Sequence, residues 1–238
     1  MPKIQQSHIR NRLLAHFSPE DFDRIAPHLE FAELPWRHAF TQPNEISEFS
    51  YFLESGIGSI VAPSPEGHSA EIGIFGRDGM TPIAIALKAD SDPYSTFMQV
   101  AGSGYRIRSA ELVAVIDECD AVKTLMGRYA QTQAVQSAYT ALSNAVHQID
   151  ERLARWILMC HDRTDGNDIS LTHEFLSIML AVRRPSVTTA LHVLEGNLLI
   201  RAERGVIIVR DRPALESFAR DAYGTPEREY ERLIGRMN

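Results

Sequence analysis

Cysteine is scarce in this 238-residue sequence: Cys119 and Cys160 are the only two. Two thiols cannot build a disulfide framework or an all-cysteine iron–sulfur or zinc site within one chain, and both are expected to be reduced. Long apolar runs are missing as well. The longest, such as Pro82 to Leu87, fall far short of the roughly 18–20 residues that cross a bilayer, so no membrane contact is expected. Met1 to Gln6 contain no apolar stretch followed by a small-residue cleavage site, so the cytoplasm is the expected location. Catalytic signatures fail on inspection. His173-Glu174 opens a zinc-protease string, but position 177 is serine; Gly56-Ile-Gly58 and Gly102-Ser-Gly104 lack a third glycine; no Gly-x-Ser-x-Gly elbow occurs. No spacing among the nine histidines supports a haem or metal site. Neither an enzyme nor a resident metal or cofactor is expected.

The composition is that of an ordinary globular protein, 44% hydrophobic and 23% charged, at a length where one core gives way to two domains. Its net charge of −7 is unevenly spread. Residues 1–120 hold 9 Lys/Arg against 17 Asp/Glu, whereas residues 170–212 hold 6 against 4 and form the only positive segment. Two excess charges are a faint electrostatic footprint for nucleic acid, so motif has to decide.

From about Phe31 to Arg108 short β-type runs alternate with turns: Ser50 to Glu54, Ser59 to Ala62, Ser69 to Gly76 and Thr96 to Ala101. That spacing predicts an antiparallel sandwich or roll. A short helix precedes it, carried by Phe22, Ile25 and Leu29 at helical spacing. From Ala121 to His161 the only helix breaker is Gly127. Leu125, Tyr129, Thr132, Val135, Tyr139, Leu142, Val146, Ile149, Leu153 and Trp156 recur there at steps of three and four, predicting one helix of about 60 Å. So long a stripe needs a partner, and a second copy is the simplest supplier, so Leu125, Tyr129, Val135, Tyr139, Leu142, Val146, Ile149 and Leu153 are the expected dimer interface. Thr164 to Asp168 breaks the helix. The expected divisions are a sensor unit over 1–120, a dimerisation helix over 121–163 and a DNA-binding unit over 164–238.

In that last unit Thr172 can cap a helix containing Phe175, Leu176, Met179 and Leu180, and Ala181-Val182-Arg183 makes a tight turn. A second helix starts near Arg184-Pro185, where proline is tolerated. Val187, Leu191 and Leu194 form its buried stripe, which turns Arg184, Ser186, Thr188, Thr189 and His192 outward. Leu198 to Val209 then reads as a hairpin reversing at Arg204-Gly205. Two helices, a tight turn and a hairpin behind describe a winged helix-turn-helix whose second helix can enter a major groove.

Leu171 to Ile200 resembles, nearly position by position, the helix-turn-helix block of the cyclic-AMP receptor protein and fumarate-nitrate regulator superfamily, Crp/Fnr, of bacterial transcription factors. The remaining order is similar too: Tyr51-Phe-Leu with Gly56, a Gly76-Arg-Asp-Gly79 turn, a long helix and a wing. The resemblance implies an α+β chain with an N-terminal antiparallel β-roll like a cyclic-nucleotide-binding domain, a dimerisation helix and a C-terminal winged helix-turn-helix. It implies a homodimeric regulator on an inverted-repeat duplex, with RNA polymerase as a further partner. Arg184 matches a base-contacting arginine suited to guanine O6 and N7, and Ser186 a phosphate-contacting hydroxyl. Thr172, His173, Arg183, Pro185, Thr188, Thr189, His192 and Arg204 complete the expected DNA-binding set. Pro185 replaces a common glutamate and Thr189 a commonly basic residue. The resemblance places an effector pocket around Gly76, Arg77, Asp78, Gly79, Met80 and Lys88. Cyclic AMP is not the expected effector: Gly79 is followed by Met80-Thr81-Pro82, no arginine lies between Asp78 and Tyr105, and Lys88 is the only fixed cation there. The competing reading is an effector-binding protein whose winged module contacts proteins.

Overall fold

The computed structural model describes residues 4–237, so Met1 to Lys3 of the stretch read against export lie outside the described residues. Side-chain caps open the chain. Asn11 accepts from Leu14 N–H at the head of α1 (Arg12–Ala15), and Ser18 accepts from Asp21 N–H at the head of α2 (Pro19–Ile25). Each cap satisfies an N–H that the first helical turn leaves without a partner.

The strands follow: β1 (Glu30–Leu34), β2 (Ala39–Thr41), β3 (Phe49–Leu53), β4 (Ile57–Pro63), β5 (Ser69–Phe75) and β6 (Met80–Thr81), then helix α3 (Ile83–Ala86), β7 (Ser95–Val100) and β8 (Gly102–Arg108). Among the described residues they form two antiparallel sheets, ordered β1-β8-β3-β6 and β2-β7-β4-β5. Leu34, Tyr51, Leu53, Phe75 and Met98 fill the space between the sheets. Gly56 turns β3 into β4 at φ +84°, where a Cβ would lie 2.6 Å from Val100 O. This is the expected antiparallel roll.

α4 (Ser109–Glu118) leads to α5 (Asp120–Val146) and α6 (Ile149–His161). The single helix expected over 121–161 is therefore two. His147 and Gln148 are extended, and Gln148 opens α6 with a capping box, its backbone N–H donating to Glu151 Oε2 at 3.0 Å. Asp150 and Glu151 occupy the first turn, as a helix start favours. The apolar rhythm crosses the break undisturbed, which is why the break does not show in the rhythm.

α6 belongs to the following unit rather than ending a dimer helix. Leu153, Trp156, Ile157 and Cys160 share a core with α7 (His173–Leu180), α8 (Arg184–Gly196) and α9 (Arg212–Ala219). β9 (Asp168–Ile169), β10 (Ile200–Glu203) and β11 (Val206–Val209) add a small sheet ordered β10-β11-β9. The last helix, α10 (Thr225–Leu233), returns to the first unit. Tyr230 is buried in its core and donates to the carbonyl of Asp78 at 2.6 Å. No helix among the described residues is long and apolar enough to cross a membrane.

Candidate nucleic-acid interface

α7 is capped by Thr172, whose hydroxyl accepts from Phe175 N–H. It ends at Ala181, held left-handed at φ +51°, with Val182 N–H returning to Ser177 O at 3.0 Å. This turn sets α8 across α7. Val187, Ala190, Leu191 and Leu194 anchor α8 in the core, leaving Arg184, Pro185, Thr189 and His192 exposed and Ser186 and Thr188 half-buried. The Thr188 and Thr189 hydroxyls donate to the carbonyls of Arg184 and Pro185. Their oxygens stay free to accept. Arg184 is two-thirds exposed, and its nearest acid is Glu174, 3.7 Å away. The same carboxylate takes Arg37, from the β1–β2 connection, at 2.9 Å. Thr172 and His173 are exposed at the start of α7, Arg183 is exposed in the turn, and Arg204 stands at the tip of the β10–β11 wing, where Gly205 has φ +79°. A shallow groove of about 290 Å³ separates the face of α8 from the start of α6, lined by Gln148, Ile149, Asp150, Ser186, Thr189, Ala190 and Val193.

The expected dimer residues divide. Leu142 and Val146 are exposed large apolar side chains, Val135 and Tyr139 are half-buried beside them, and Ala134, Ala138, Ala141 and Ala145 are exposed on the same helix. Leu125 is half-buried in a groove with His16 and Leu233. Ile149 packs partly against the core of the C-terminal unit. Tyr129 and Leu153 are not available to a second copy. Tyr129 lies in the first unit's core with its hydroxyl on Met80 O at 3.1 Å, and Leu153 lies in the second core.

Asp78, Gly79, Arg77 and Lys88 of the expected effector set are each engaged by other side chains of the same chain. Asp78 is buried, accepting from Gly76 N–H at 2.7 Å and from Arg163 Nε and Nη2 at 3.0 and 2.6 Å. Tyr129 fills the space over Gly79, where a Cβ would lie 2.0 Å from its hydroxyl. Arg77 pairs with Asp165 at 2.6 Å, and Lys88 points away to Asp117. The turn is a fastening between the units. A buried carboxylate needs a cation and donors, and Arg163, just past α6, supplies them.

A second polar cluster escapes the sequence reading. Ser59 on β4, Glu71 on β5 and Gln99 on β7 are buried beneath α5, which turns Thr132, Gln133, Gln136 and Thr140 inward. Ile74 N–H donates to Gln136 Oε1 at 2.7 Å, and Arg155 of α6 donates to Thr140 Oγ1 at 2.9 Å. Burial pulls Arg155 down to about 10, still charged at neutral pH. The signal is present as a polar stripe at helical spacing, complementary to the apolar one.

Residues 151–218 match the Crp-like helix-turn-helix domain family. A sequence search of curated proteins found no match. Among solved structures, FixK2 from Bradyrhizobium japonicum is 13% identical with a TM-score of 0.69, the alignment covering 80% of this chain and 96% of that one. CLP, the c-di-GMP responsive global regulator of Xanthomonas campestris, is 16% identical with a TM-score of 0.63 over 81% and 99% of the two chains. A CRP-family transcriptional regulator from Thermus thermophilus is 18% identical with a TM-score of 0.64 over 79% and 96%. With α7, the turn, α8 and the wing in place, this chain carries a Crp-like helix-turn-helix domain and has the fold of the Crp/Fnr transcription regulators.

Proposed function

We propose that the chain is a sequence-specific, DNA-binding regulator of transcription that acts in the cytoplasm as a homodimer, without cyclic AMP. The observation that carries this reading is α8. Its apolar stripe is buried, while Arg184, Ser186, Thr188, Thr189 and His192 lie along the opposite, accessible side. Arg184 is the base reader, Ser186 binds phosphate, and Thr172, His173, Arg183 and Arg204 flank them on the backbone. Two copies meet along the outward face of α5 through Val135, Tyr139, Leu142 and Val146. That face is alanine-rich and apolar while the inward one is polar, an inversion expected of a helix whose hydrophobic partner is a second chain. RNA polymerase is the further partner. Independence from cyclic AMP is supported by the stretch from Asp78 to Tyr105, which holds no arginine and has Lys88 as its only fixed cation, itself engaged by Asp117.

Selection from a random duplex library tests the whole reading. Dimer symmetry requires an inverted repeat with half-sites about one helical turn apart. Recovery of sequences without a dyad, or no enrichment at all, would refute it.

A further inference from the structure

The buried cluster under α5 contains a hydroxyl with more acceptors than hydrogens. Ser59 Oγ lies 3.0 Å from Glu71 Oε2 and 2.8 Å from Gln99 Oε1, and all three side chains are buried. A hydroxyl carries one hydrogen, and an ionised carboxylate and an amide oxygen both only accept. The Ser59 hydroxyl is satisfied when Glu71 is protonated: the Glu71 O–H donates to Ser59, and Ser59 donates to Gln99 Oε1, while Glu71 Oε1 stays buried without a partner. The Ser59 donation fixes the Gln99 amide with Nε2 toward Met179 Sδ, 3.3 Å away on α7. Burial pushes the Glu71 carboxyl up to about 8, outweighing the opposing hydrogen bond from Ser59 and the charge of Arg155.

We propose that Glu71, Ser59 and Gln99 form a proton-operated relay that couples the charge of the β-roll interior to the seating of α7. When Glu71 loses its proton to solvent, the carboxylate claims the Ser59 hydrogen. Gln99 Oε1 is then a buried acceptor without a donor, and leaving such a group unpaired is costly. The amide turns over, so that Nε2 donates to Ser59 Oγ and Oε1 faces Met179 Sδ. Two acceptors now meet across the sheet–helix contact, and α7 loses its polar tie to β7. The titratable and charged groups facing Glu71 belong to α6: Arg155, which favours the carboxylate, and Cys160, whose thiol burial and Glu71 push up so that it stays protonated. α5 presents uncharged Gln133, Gln136 and Thr140, and α7 presents Met179. This inference deepens the reading of α7 and α8 as the DNA-binding unit and rests on it, so its test observes α7 directly.

Methyl-labelled methionine NMR of the full chain across neutral and alkaline pH is the experiment. The Met179 methyl should move in a single step near pH 8. Glu71→Gln, whose amide donates permanently to Ser59, should abolish the step. Ser59→Ala, which cuts the relay and leaves the acid in place, should abolish it too and serves if the first variant does not fold. A Met179 signal without the step in the unaltered protein, or a step that survives in Glu71→Gln, overturns the relay. A step of the expected form in a protein that binds no duplex leaves the relay standing and sinks the DNA-binding reading instead.

Discussion

Removing Asp78 should unfasten the two units. Its carboxylate meets Arg163 through two hydrogen bonds of 2.6 and 3.0 Å, and neither side chain reaches solvent. Arg163 also donates to Met159 O at 2.8 Å, and Asp78 accepts from Gly76 N–H at 2.7 Å, so the remaining valences of the pair are met. Burial opposes the guanidinium charge, and Asp78 and Asp162 hold its pKa above the usual value nonetheless. Asp78→Ala strands that charge in a dry site, which costs about 3–5 kcal/mol, a large part of a typical stability of about 5–15 kcal/mol. Arg163→Met strands the carboxylate and should cost a similar amount. The double variant Asp78→Ala/Arg163→Met leaves neither charge of the pair stranded, so its loss should fall well short of the sum, with a coupling of about 1–3 kcal/mol. Urea unfolding followed by circular dichroism measures all three against the unaltered protein. Strict additivity, or a loss below about 1 kcal/mol for Asp78→Ala, would refute the pair as a fastening.

Stability should also fall as pH rises. Glu71 is ionised above about 4.5 when unfolded and above about 8 when folded, so its contribution is full below the lower value and lost as pH climbs to the upper, at about 1.4 kcal/mol per pH unit. Thermal melts of Glu71→Gln should lack that slope, and parallel profiles would contradict the assignment. Leu142→Glu with Val146→Glu should yield monomers at concentrations where the unaltered protein sediments as a dimer; an unchanged sedimentation coefficient would rule out this face. Arg184→Ala should weaken cognate binding by about 1–3 kcal/mol and random duplex by less, as measured by fluorescence anisotropy. Equal losses on both would make Arg184 a phosphate contact.

The roll, α8 and the wing are legible because each is written in local chemistry. Turn residues punctuate the strands, Thr172 caps α7, Pro185 sits where a helix can begin, and Arg204-Gly205 reverses the hairpin. What the sequence hides depends on distance. The break at His147-Gln148 carries no proline or glycine and keeps the apolar rhythm, so only the Gln148–Glu151 cap marks it. Tyr129 looks like a seam residue because periodicity assigns a face without saying which neighbour covers it. Asp78 and Arg163 are 85 residues apart, and no local pattern joins them. Lys88 shows only its charge in the sequence, and its partner Asp117 lies on α4.

The return of α10 changes what the winged unit is free to do. The chain leaves the first unit at His147-Gln148 and comes back through Asp221 to Gly224, where glycine adopts φ +106° before α10 docks on α5. The outgoing and returning segments touch, His147 Nε2 lying 3.1 Å from Asp221 Oδ1. The winged unit is therefore not a pendant on one stalk: its two chain connections lie side by side, and the Asp78–Arg163 pair and the packing of α7 on β5 hold its body against the roll as well. A pendant can wander in every direction, whereas a body held at two neighbouring points and along a packed face can turn only by unpacking that face. In the proposed dimer the spacing between the two copies of Arg184 would then follow from how α5 pairs, with each α8 carried in a fixed place relative to it.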